Sequence, residues 1–434
     1  MKILNVGLLG FGTVGSGVYK ALNDNNEYIF KKLGFSIIIK KIYVRNIAKV
    51  KSKDFGFVPD YSLFTSDVNE VIANRNIDIA VEVMGGTDFA KDCILKALNN
   101  KINVVTANKE LLAKFGNELK KASFENKTAL RYEASVAGGI PIIETILESL
   151  ACEKINLCAG IVNGTTNYIL SNMSSDSTLS YEAVLKDSQQ KGYAEADPTA
   201  DVEGYDAARK MAILASLCFN TDVDYSKVHI EGISKITSED ISCAKKHGFT
   251  IKLLGITRIL TDNKIQISVY PALIKDNHPI AGVSGAFNCI YLDSYPLGKS
   301  MYYGAGAGSL PTGSAIAADI AHIGKNLSQG IAQDMQVSFN SKEIAPIEDI
   351  TSQFFIRFDT SKEDDGLKTT VKSLLEEFDL KSESMTFETL NGNKFSLAVI
   401  TQPALTKNLL LFAKKAEASI KDAVLKNIYR IEDI

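Results

Sequence analysis

The stretch Ile3-Leu4-Asn5-Val6-Gly7-Leu8-Leu9-Gly10-Phe11-Gly12-Thr13-Val14-Gly15 decides the fold at the start of this chain. Residues 3–9 are apolar and read as a strand, and residues 13–23 read as a helix. The turn between them is Gly-x-Gly-x-x-Gly. In that setting Gly10 allows a tight turn, Gly12 lets the backbone approach a pyrophosphate, and Gly15 lets the helix pack close. The phosphates then rest on amides at the helix N-terminus. Gly10, Phe11, Gly12, Thr13, Val14 and Gly15 are therefore the candidate dinucleotide-binding turn. A plain strand-turn-helix is the competing reading, and the full context weighs against it.

Outward from the turn, Ser36–Val44, Ile77–Val83 and Ile102–Thr106 read as further apolar strands, residues 88–99 as a helix, and Ala129–Glu133 as a last strand. Continuous apolar strands alternating with helices indicate a parallel sheet covered on both faces. The expected class is α/β, with a Rossmann nucleotide-binding domain over residues 1–131. From Gly138 the alternation breaks. Pro141–Leu150 and residues 206–219 read as helices and Tyr168–Met173 as a helix start. Ile155–Val162 reads as a strand, and Ile230–Ile233, Thr250–Ile259 and Ile265–Tyr270 have antiparallel strand character. These predict an α+β substrate and dimerisation domain over 132–310. A glycine-rich turn, Gly304–Gly308, precedes a small-residue helix at Ser314–Ile323. That helix returns to the nucleotide domain and leads into a linker, together 311–345. The remainder, 350–434, reads βαβ…βαβ, the size of a ferredoxin-like module.

Composition narrows the class. Of 434 residues, 45% are hydrophobic and 23% charged, and the formal net charge is −3. That balance argues against nucleic acid or an anionic membrane as the main partner. No apolar run approaches the ~20 residues of a membrane-spanning helix, and the N-terminus enters a strand without a signal-peptide pattern. Six scattered cysteines form no Cys-x-x-Cys, which predicts reduced thiols in a cytoplasmic protein. Four histidines show no zinc-ligand spacing. The Asn163-Gly164-Thr165 sequon has meaning only in a secreted chain.

Several polar residues stand out. The second strand ends Tyr43-Val44-Arg45-Asn46, with no carboxylate where an NAD site usually carries one. Arg45 can pair with a 2′-phosphate, which favours NADP(H) over NAD(H). Lys109 follows a buried strand, at the sheet end where ligands bind; it reads equally well as a surface lysine opening the next helix. Glu195, Asp201, Glu203, Asp206 and Lys210 crowd one loop and helix start. Asp206 and Lys210 are at i, i+4 and share a face, and the helix beyond Lys210 is apolar. That pattern predicts a dry, charged pocket. The bland alternative is a surface pair worth ~0.3–0.5 kcal/mol. Glu133 precedes an irregular turn, Val136-Ala-Gly138-Gly-Ile140, with the oxygen donors that hard cations take, though on sequence alone an ordinary glycine-rich turn is the stronger reading.

Taken together, Gly7–Gly15, Val81-Glu-Val-Met-Gly-Gly-Thr87, Thr106-Ala-Asn-Lys109 and Tyr132–Pro141 resemble homoserine dehydrogenases. So do Gly160-Ile-Val-Asn-Gly-Thr-Thr-Asn-Tyr168, Gly192–Pro198, Asp201–Lys210 and Gly304–Gly308. The match spans most of residues 5–325, in order. The resemblance implies reversible NAD(P)H-dependent reduction of L-aspartate 4-semialdehyde to L-homoserine, toward threonine, methionine and isoleucine. It implies Lys210 as the acid–base group and Lys109 beside nicotinamide and substrate. Glu195 and Asp206 would hold the substrate, with Asp201 nearby, and Gly308 would touch the cofactor. Glu133 with the main-chain oxygens of Val136, Gly138 and Ile140 would match the family's monovalent-cation site, usually sodium. A homodimer or homotetramer is expected. Since the chain opens on the dehydrogenase's first strand, a monofunctional form is expected too. The C-terminal module resembles the ACT domain, a place for threonine feedback. It reads Asp364-Asp365-Gly366-Leu367 where the family usually has Asp-x-Pro-Gly-Val-Leu, and Thr401-Gln402 where a Thr-His pair is common.

Two other readings compete. An aspartate-semialdehyde dehydrogenase would need a cysteine nucleophile with a histidine partner, and no cysteine here sits in a suggestive turn. A non-catalytic NADP- or amino-acid-sensing protein on the same folds would be expected to have lost Lys109 or Lys210, and both are present.

Overall fold

The computed structural model describes residues 3–261, 263–331, 341–390 and 394–434. Part of the expected linker, residues 332–340, lies outside them. Two compact units divide the chain: Met1–Lys154 with Ala212–Tyr225 and Tyr302–Ser341, and Ile155–Met211 with Ser226–Met301 and Lys342–Ile434.

The first unit holds six strands: β1 (Ile3–Leu9), β2 (Ser36–Tyr43), β3 (Phe64–Thr65), β4 (Ile79–Glu82), β5 (Asn103–Thr106) and β6 (Leu130–Arg131). They pair in parallel in the order β3-β2-β1-β4-β5-β6. This is the doubly wound order, with its switch point beside β1, where dinucleotides bind. Every residue of β4 and β5 is buried, as a sheet covered on both faces requires. The helix after β1 runs Thr13–Leu33, ten residues beyond the stretch read from periodicity. Its second half is largely exposed, so no apolar stripe marks it. It stops where Gly34 turns left-handed at φ 80°, its amide donating to the Phe30 carbonyl.

The small-residue helix, Ser309–Ser328, packs on this first helix. A Cβ on Gly17 would lie 2.0 Å from the Ser309 carbonyl oxygen, and one on Gly313 would lie 2.6 Å from the Gly17 carbonyl carbon. The helices meet backbone to backbone, and Ile316, Ile320 and Ile323 join Leu4, Val6 and Ile37 in one core. The helix expected over Pro141–Leu150 begins as Ile142–Glu144 and continues as a π-helical turn, Thr145–Ser149. The Leu150 amide there reaches back five residues to the Thr145 carbonyl.

The second sheet is built on β7 (Lys154–Ile161), β8 (His229–Ile230), β9 (Phe249–Thr261), β10 (Lys264–Lys275), β11 (Phe287–Tyr295), β12 (Gly298–Ala305) and β13 (Glu343–Ile344). It continues with β14 (Thr351–Thr360), β15 (Ser382–Leu390), β16 (Lys394–Thr401), β17 (Ala404–Leu405) and β18 (Ala423–Ile431). The main path is β12-β11-β7-β9-β10-β18-β14-β16-β15, with β8 and β13 paired to β10 and β17 to β14. The expected strand at Ile230–Ile233 needs correcting. Only His229 and Ile230 pair, and they run parallel to β10. At Gly232 the chain leaves the sheet to pack on the Val202–Glu203 backbone.

The C-terminal stretch folds as β14, helix Asp365–Glu377, β15, β16, helix Thr406–Ser419, β18. Its sheet order β18-β14-β16-β15 is ferredoxin-like. The stretch is not a separate sheet. Arg430 and Ile431 of β18 pair in parallel with Ala272 and Leu273 of β10. A buried polar seam reinforces the join: the Tyr270 hydroxyl donates to Glu432 at 2.7 Å, Arg258 pairs with Glu432, and the Arg430 guanidinium lies 4.5 Å over the Tyr270 ring. Among the described residues no helix is long and apolar enough to cross a membrane.

Candidate active site

The glycine turn has the geometry its sequence requires. Gly10 takes φ +109°, and a Cβ there would meet the Val83 carbonyl oxygen at 2.8 Å. A Cβ on Gly15 would lie 2.4 Å from the Gly10 oxygen, so no side chain fits the turn's interior. Gly12 is different: a Cβ there would meet nothing within 4 Å. Packing does not demand a glycine at 12, whereas a phosphate approaching the backbone does. Phe11 turns inward, its ring packed edge-on against Tyr19, Phe55 and Phe64, so only its backbone is left for a cofactor. Thr13 is exposed and Val14 half-buried at the helix mouth.

Arg45 follows β2 and is exposed, in no salt bridge among the described residues. Gly308, at φ +123°, precedes the helix that begins beside Gly17. It belongs to the same unit as the glycine turn.

At the carboxyl ends of β4 and β5 lies a group the residue-by-residue reading missed. Glu82 is fully buried and accepts from the Thr106 hydroxyl at 2.7 Å and the Met84 amide at 2.8 Å. Burial pushes its carboxyl above the usual range. Asn108 donates to the Gly86 carbonyl at 2.7 Å and caps the next helix through the Leu111 amide. These contacts tie together the loops after both strands and fix Lys109, half-buried, as the first helical residue.

In the second unit the lysine–carboxylate pair is no surface pair. Lys210 is 8% exposed and Asp206 4%. The Lys210 ammonium donates to Asp206 Oδ2 and to the Val162 carbonyl, both at 2.7 Å. Asn163 completes the group: its amide nitrogen donates to Asp201 Oδ1 at 2.7 Å and Asp206 Oδ2 at 2.9 Å, while its oxygen caps helix Gly164–Ser175. One asparagine thus anchors both aspartates on a helix N-terminus. The only sequence cue was its place in Asn-Gly-Thr-Thr-Asn, two residues past the end of a buried strand. Thr165 holds the neighbouring loop by donating to the Tyr193 carbonyl at 2.6 Å. The expected crowd divides. Asp201, Asp206 and Lys210 come together, Glu195 is exposed outside their hydrogen-bond network, and Glu203 lines a separate cavity.

Glu133 is buried, and burial raises its carboxyl. Its two oxygens accept from the Ile143 and Glu144 amides at 2.8 and 2.6 Å, so it caps the turn that follows Pro141. Among the described residues no ammonium or guanidinium pairs with it. Ala137 and Gly138 both take positive φ, +54° and +56°, and fold the chain tightly between the carbonyls of Val136 and Ile140. The Ile140 oxygen already accepts from Ile142. Among the described residues there is no group of three histidine, cysteine or acidic side chains that could hold a metal.

A Rossmann sheet with this turn, and a buried lysine fixed by an aspartate and a main-chain carbonyl, define a nicotinamide-dinucleotide oxidoreductase. Residues 10–133 match the family model for the homoserine dehydrogenase NAD-binding domain, and residues 141–321 match that for homoserine dehydrogenase. The chain belongs to the homoserine dehydrogenase family. It is 39% identical to a Bacillus subtilis (strain 168) homoserine dehydrogenase, over 100% of this chain and 96% of that one. It is 38% identical to one from Neisseria gonorrhoeae, over 99% and 98%. The crystal structure of a homoserine dehydrogenase from Thiobacillus denitrificans superimposes with a TM-score of 0.91 at 36% identity, covering 100% of this chain and 99% of that one.

Proposed function

We propose that this chain reduces L-aspartate 4-semialdehyde to L-homoserine and runs the reverse reaction, with Lys210 as the acid–base residue. The observation that carries this is the Lys210 ammonium, buried and aimed by Asp206 and the Val162 carbonyl. Nicotinamide supplies the hydride; the protein positions and protonates. As the aldehyde carbon is reduced, its oxygen becomes an alkoxide. The Lys210 ammonium can donate a proton to so basic an oxygen, and it recovers that proton from solvent after turnover. Asp206, Asp201 and Glu195 offer carboxylates for the substrate's α-ammonium, and Lys109 a cation beside nicotinamide and substrate. The test is L-homoserine with NADP⁺: NADPH should accumulate, and a chain that leaves L-homoserine unoxidised overturns the reading.

The cofactor turn Gly10–Gly15 would hold the pyrophosphate, Gly308 would touch the cofactor, and Arg45 would select NADP(H). The exposed guanidinium at the end of β2, with no acidic residue beside it in sequence, supports that choice. Arg45→Ala is expected to weaken NADPH about 10–100-fold while leaving NADH within about twofold, since a charge-assisted pair to phosphate is worth roughly 1.5–3 kcal/mol. Equal losses, read by fluorescence titration, would remove Arg45 from the selection.

Glu133, with the main-chain oxygens of Val136, Gly138 and Ile140, would hold a sodium-like cation. The residues fit in kind: oxygen donors only, and a buried carboxylate without a cationic partner among the described residues. Replacing sodium chloride by choline chloride should lower the thermal midpoint, and an unchanged midpoint would count against the site.

Exposed Phe287, Tyr295, Leu297 and Met301, on and between edge strand β12 and its neighbour β11, support a homodimer or homotetramer. Light scattering that gives a monomer mass would refute it. Six cysteines outside any disulfide, four of them buried, support a cytoplasmic setting. The functional division follows the sequence boundaries, with 350–434 as an ACT-like regulatory module for an amino acid such as threonine.

A further inference from the structure

Lys252 is a buried ammonium outside the catalytic group. It sits on β9, 3% exposed, and donates to the Val283 carbonyl at 2.6 Å and to Asn167 Oδ1 at 3.0 Å. Both acceptors are neutral. The other buried cations among the described residues each meet a carboxylate: Lys210 meets Asp206, Arg131 meets Glu144, Arg357 meets Asp240 and Arg430 meets Glu231. Among the described residues no carboxylate pairs with Lys252.

Such a group works against folding. Burial pushes the Lys252 ammonium down to about 8 from its ordinary 10.5. The nearby Cys289 thiol is itself pushed up to about 11 by burial and stays neutral, so no thiolate offsets the charge. The unfolded chain holds this proton up to pH 10.5 and the folded chain only to about 8, so stability rises with pH across that interval. Below it the charged lysine opposes folding, as an apolar side chain of similar length would not.

What Lys252 holds lies at its own end of the sheet. β7 runs antiparallel to β9 with Gly160 opposite Gly255, and Lys252 and Asn163 each come three residues past that pair. Asn167 stands in the first turn of helix Gly164–Ser175. While its oxygen accepts from Lys252, its nitrogen donates to the Phe287 carbonyl at 3.0 Å and the Val283 carbonyl at 3.3 Å. The start of the helix is pressed on the same loop: a Cβ on Gly164 would lie 2.6 Å from the Ala286 oxygen. Lys252 therefore clamps β9, loop 283–287 and the first helical turn to one another. That turn follows directly on Val162, whose carbonyl accepts from Lys210, and on Asn163, whose amide nitrogen donates to Asp201 and Asp206.

We propose that Lys252 is a positioning residue for the dehydrogenase reaction: through Asn167 and the Val283 carbonyl it fixes the junction of β7 and helix Gly164–Ser175, which aims the Lys210 ammonium. The clamp acts on alignment more than on binding. Proton transfer to the developing alkoxide suffers from a misplacement of ~1 Å. Attraction of the substrate's α-ammonium to Asp201 and Asp206 falls off slowly with distance. Loosening the junction thus lowers kcat and largely spares KM. The inference rests on the proposed reading of Lys210 for its effect on rate, and not for its effect on the junction.

The test compares the full chain with Lys252→Met, Asn167→Ala and the double variant. Homoserine oxidation is read well below every thermal midpoint, together with the midpoint itself and amide exchange over residues 162–167 by mass spectrometry. Lys252→Met should lower kcat about tenfold and leave KM for L-homoserine and NADP(H) affinity within about threefold. Its midpoint should move by no more than about 4 °C, and exchange over 162–167 should quicken. Asn167→Ala breaks the same clamp from the helix side. It should show the same split, and it keeps the proposal testable should the first variant fold poorly. The double variant should be no slower than the slower single one, because both remove one linkage. The proposal fails if Lys252→Met keeps kcat within about twofold, or if its effect multiplies with that of Asn167→Ala. It also fails if exchange over 162–167 stays unchanged. Quickened exchange in a chain that leaves L-homoserine unoxidised would keep the clamp and sink the catalytic reading of Lys210 alone.

Discussion

Lys210→Ala is expected to lower kcat for L-homoserine oxidation about 10²–10⁴-fold, the span usually lost with a positioned general acid–base. The geometry makes the expectation specific. Lys210 sits where helix Tyr205–Cys218 enters the interior, and its ammonium is fixed by Asp206 and the Val162 carbonyl. Alanine removes the proton donor and takes from buried Asp206 the ammonium that meets it at 2.7 Å. Arginine keeps the charge but, with its far higher pKa, gives up its proton poorly, so Lys210→Arg should also be slow. Neither change touches the glycine turn, so NADP(H) affinity should stay within about threefold in both. A variant that keeps near-full turnover would remove Lys210 from the chemistry.

Asp240→Ala should cost about 3–5 kcal/mol of stability, the usual result of orphaning one member of a buried ion pair. Asp240 and Arg357 are both essentially inaccessible, at 0% and 2%, and meet at 2.7 Å. Asp240 also closes the capping box with Thr237 at the start of helix Ser238–Lys246 and accepts from Asn427 of β18. Removing it leaves the Arg357 guanidinium with Asp359 as its ion-pair partner among the described residues, and takes away the side-chain acceptor of the Thr237 amide, half of the capping box. Asp240→Leu combined with Arg357→Met should recover part of the loss, because neither of the two inaccessible charges is then left without the other. Denaturant midpoints read both. An Asp240→Ala midpoint equal to that of the unsubstituted chain would show the pair to be dispensable.

The sequence disclosed most where local pattern and tertiary role agree. The β1 turn, the parallel strands and the helix at 88–99 could be read from apolar runs and glycines because a sheet buried on both faces leaves no other pattern. The Asp206–Lys210 pair could be read because an i, i+4 spacing is a local fact. Asn163 could not: its two aspartates lie 38 and 43 residues away, and only the fold brings them within hydrogen-bond distance. Glu82 was hidden as one carboxylate at the end of an apolar run, its side-chain partner Thr106 lying 24 residues on in another strand. Glu203 read as part of one cluster with Asp206, but its place at the turn before Gly204 sends it to a different cavity. β15 carries only Met385 and Phe387 as an alternating apolar pair, too short a pattern to betray a strand of nine residues.

The most direct measurement is steady-state turnover of L-aspartate 4-semialdehyde with NADPH and with NADH, with the product identified. The account predicts stoichiometric L-homoserine, with NADPH preferred through Arg45. No reduction of the aldehyde, or its phosphate-dependent oxidation through a cysteine thioester, would contradict it.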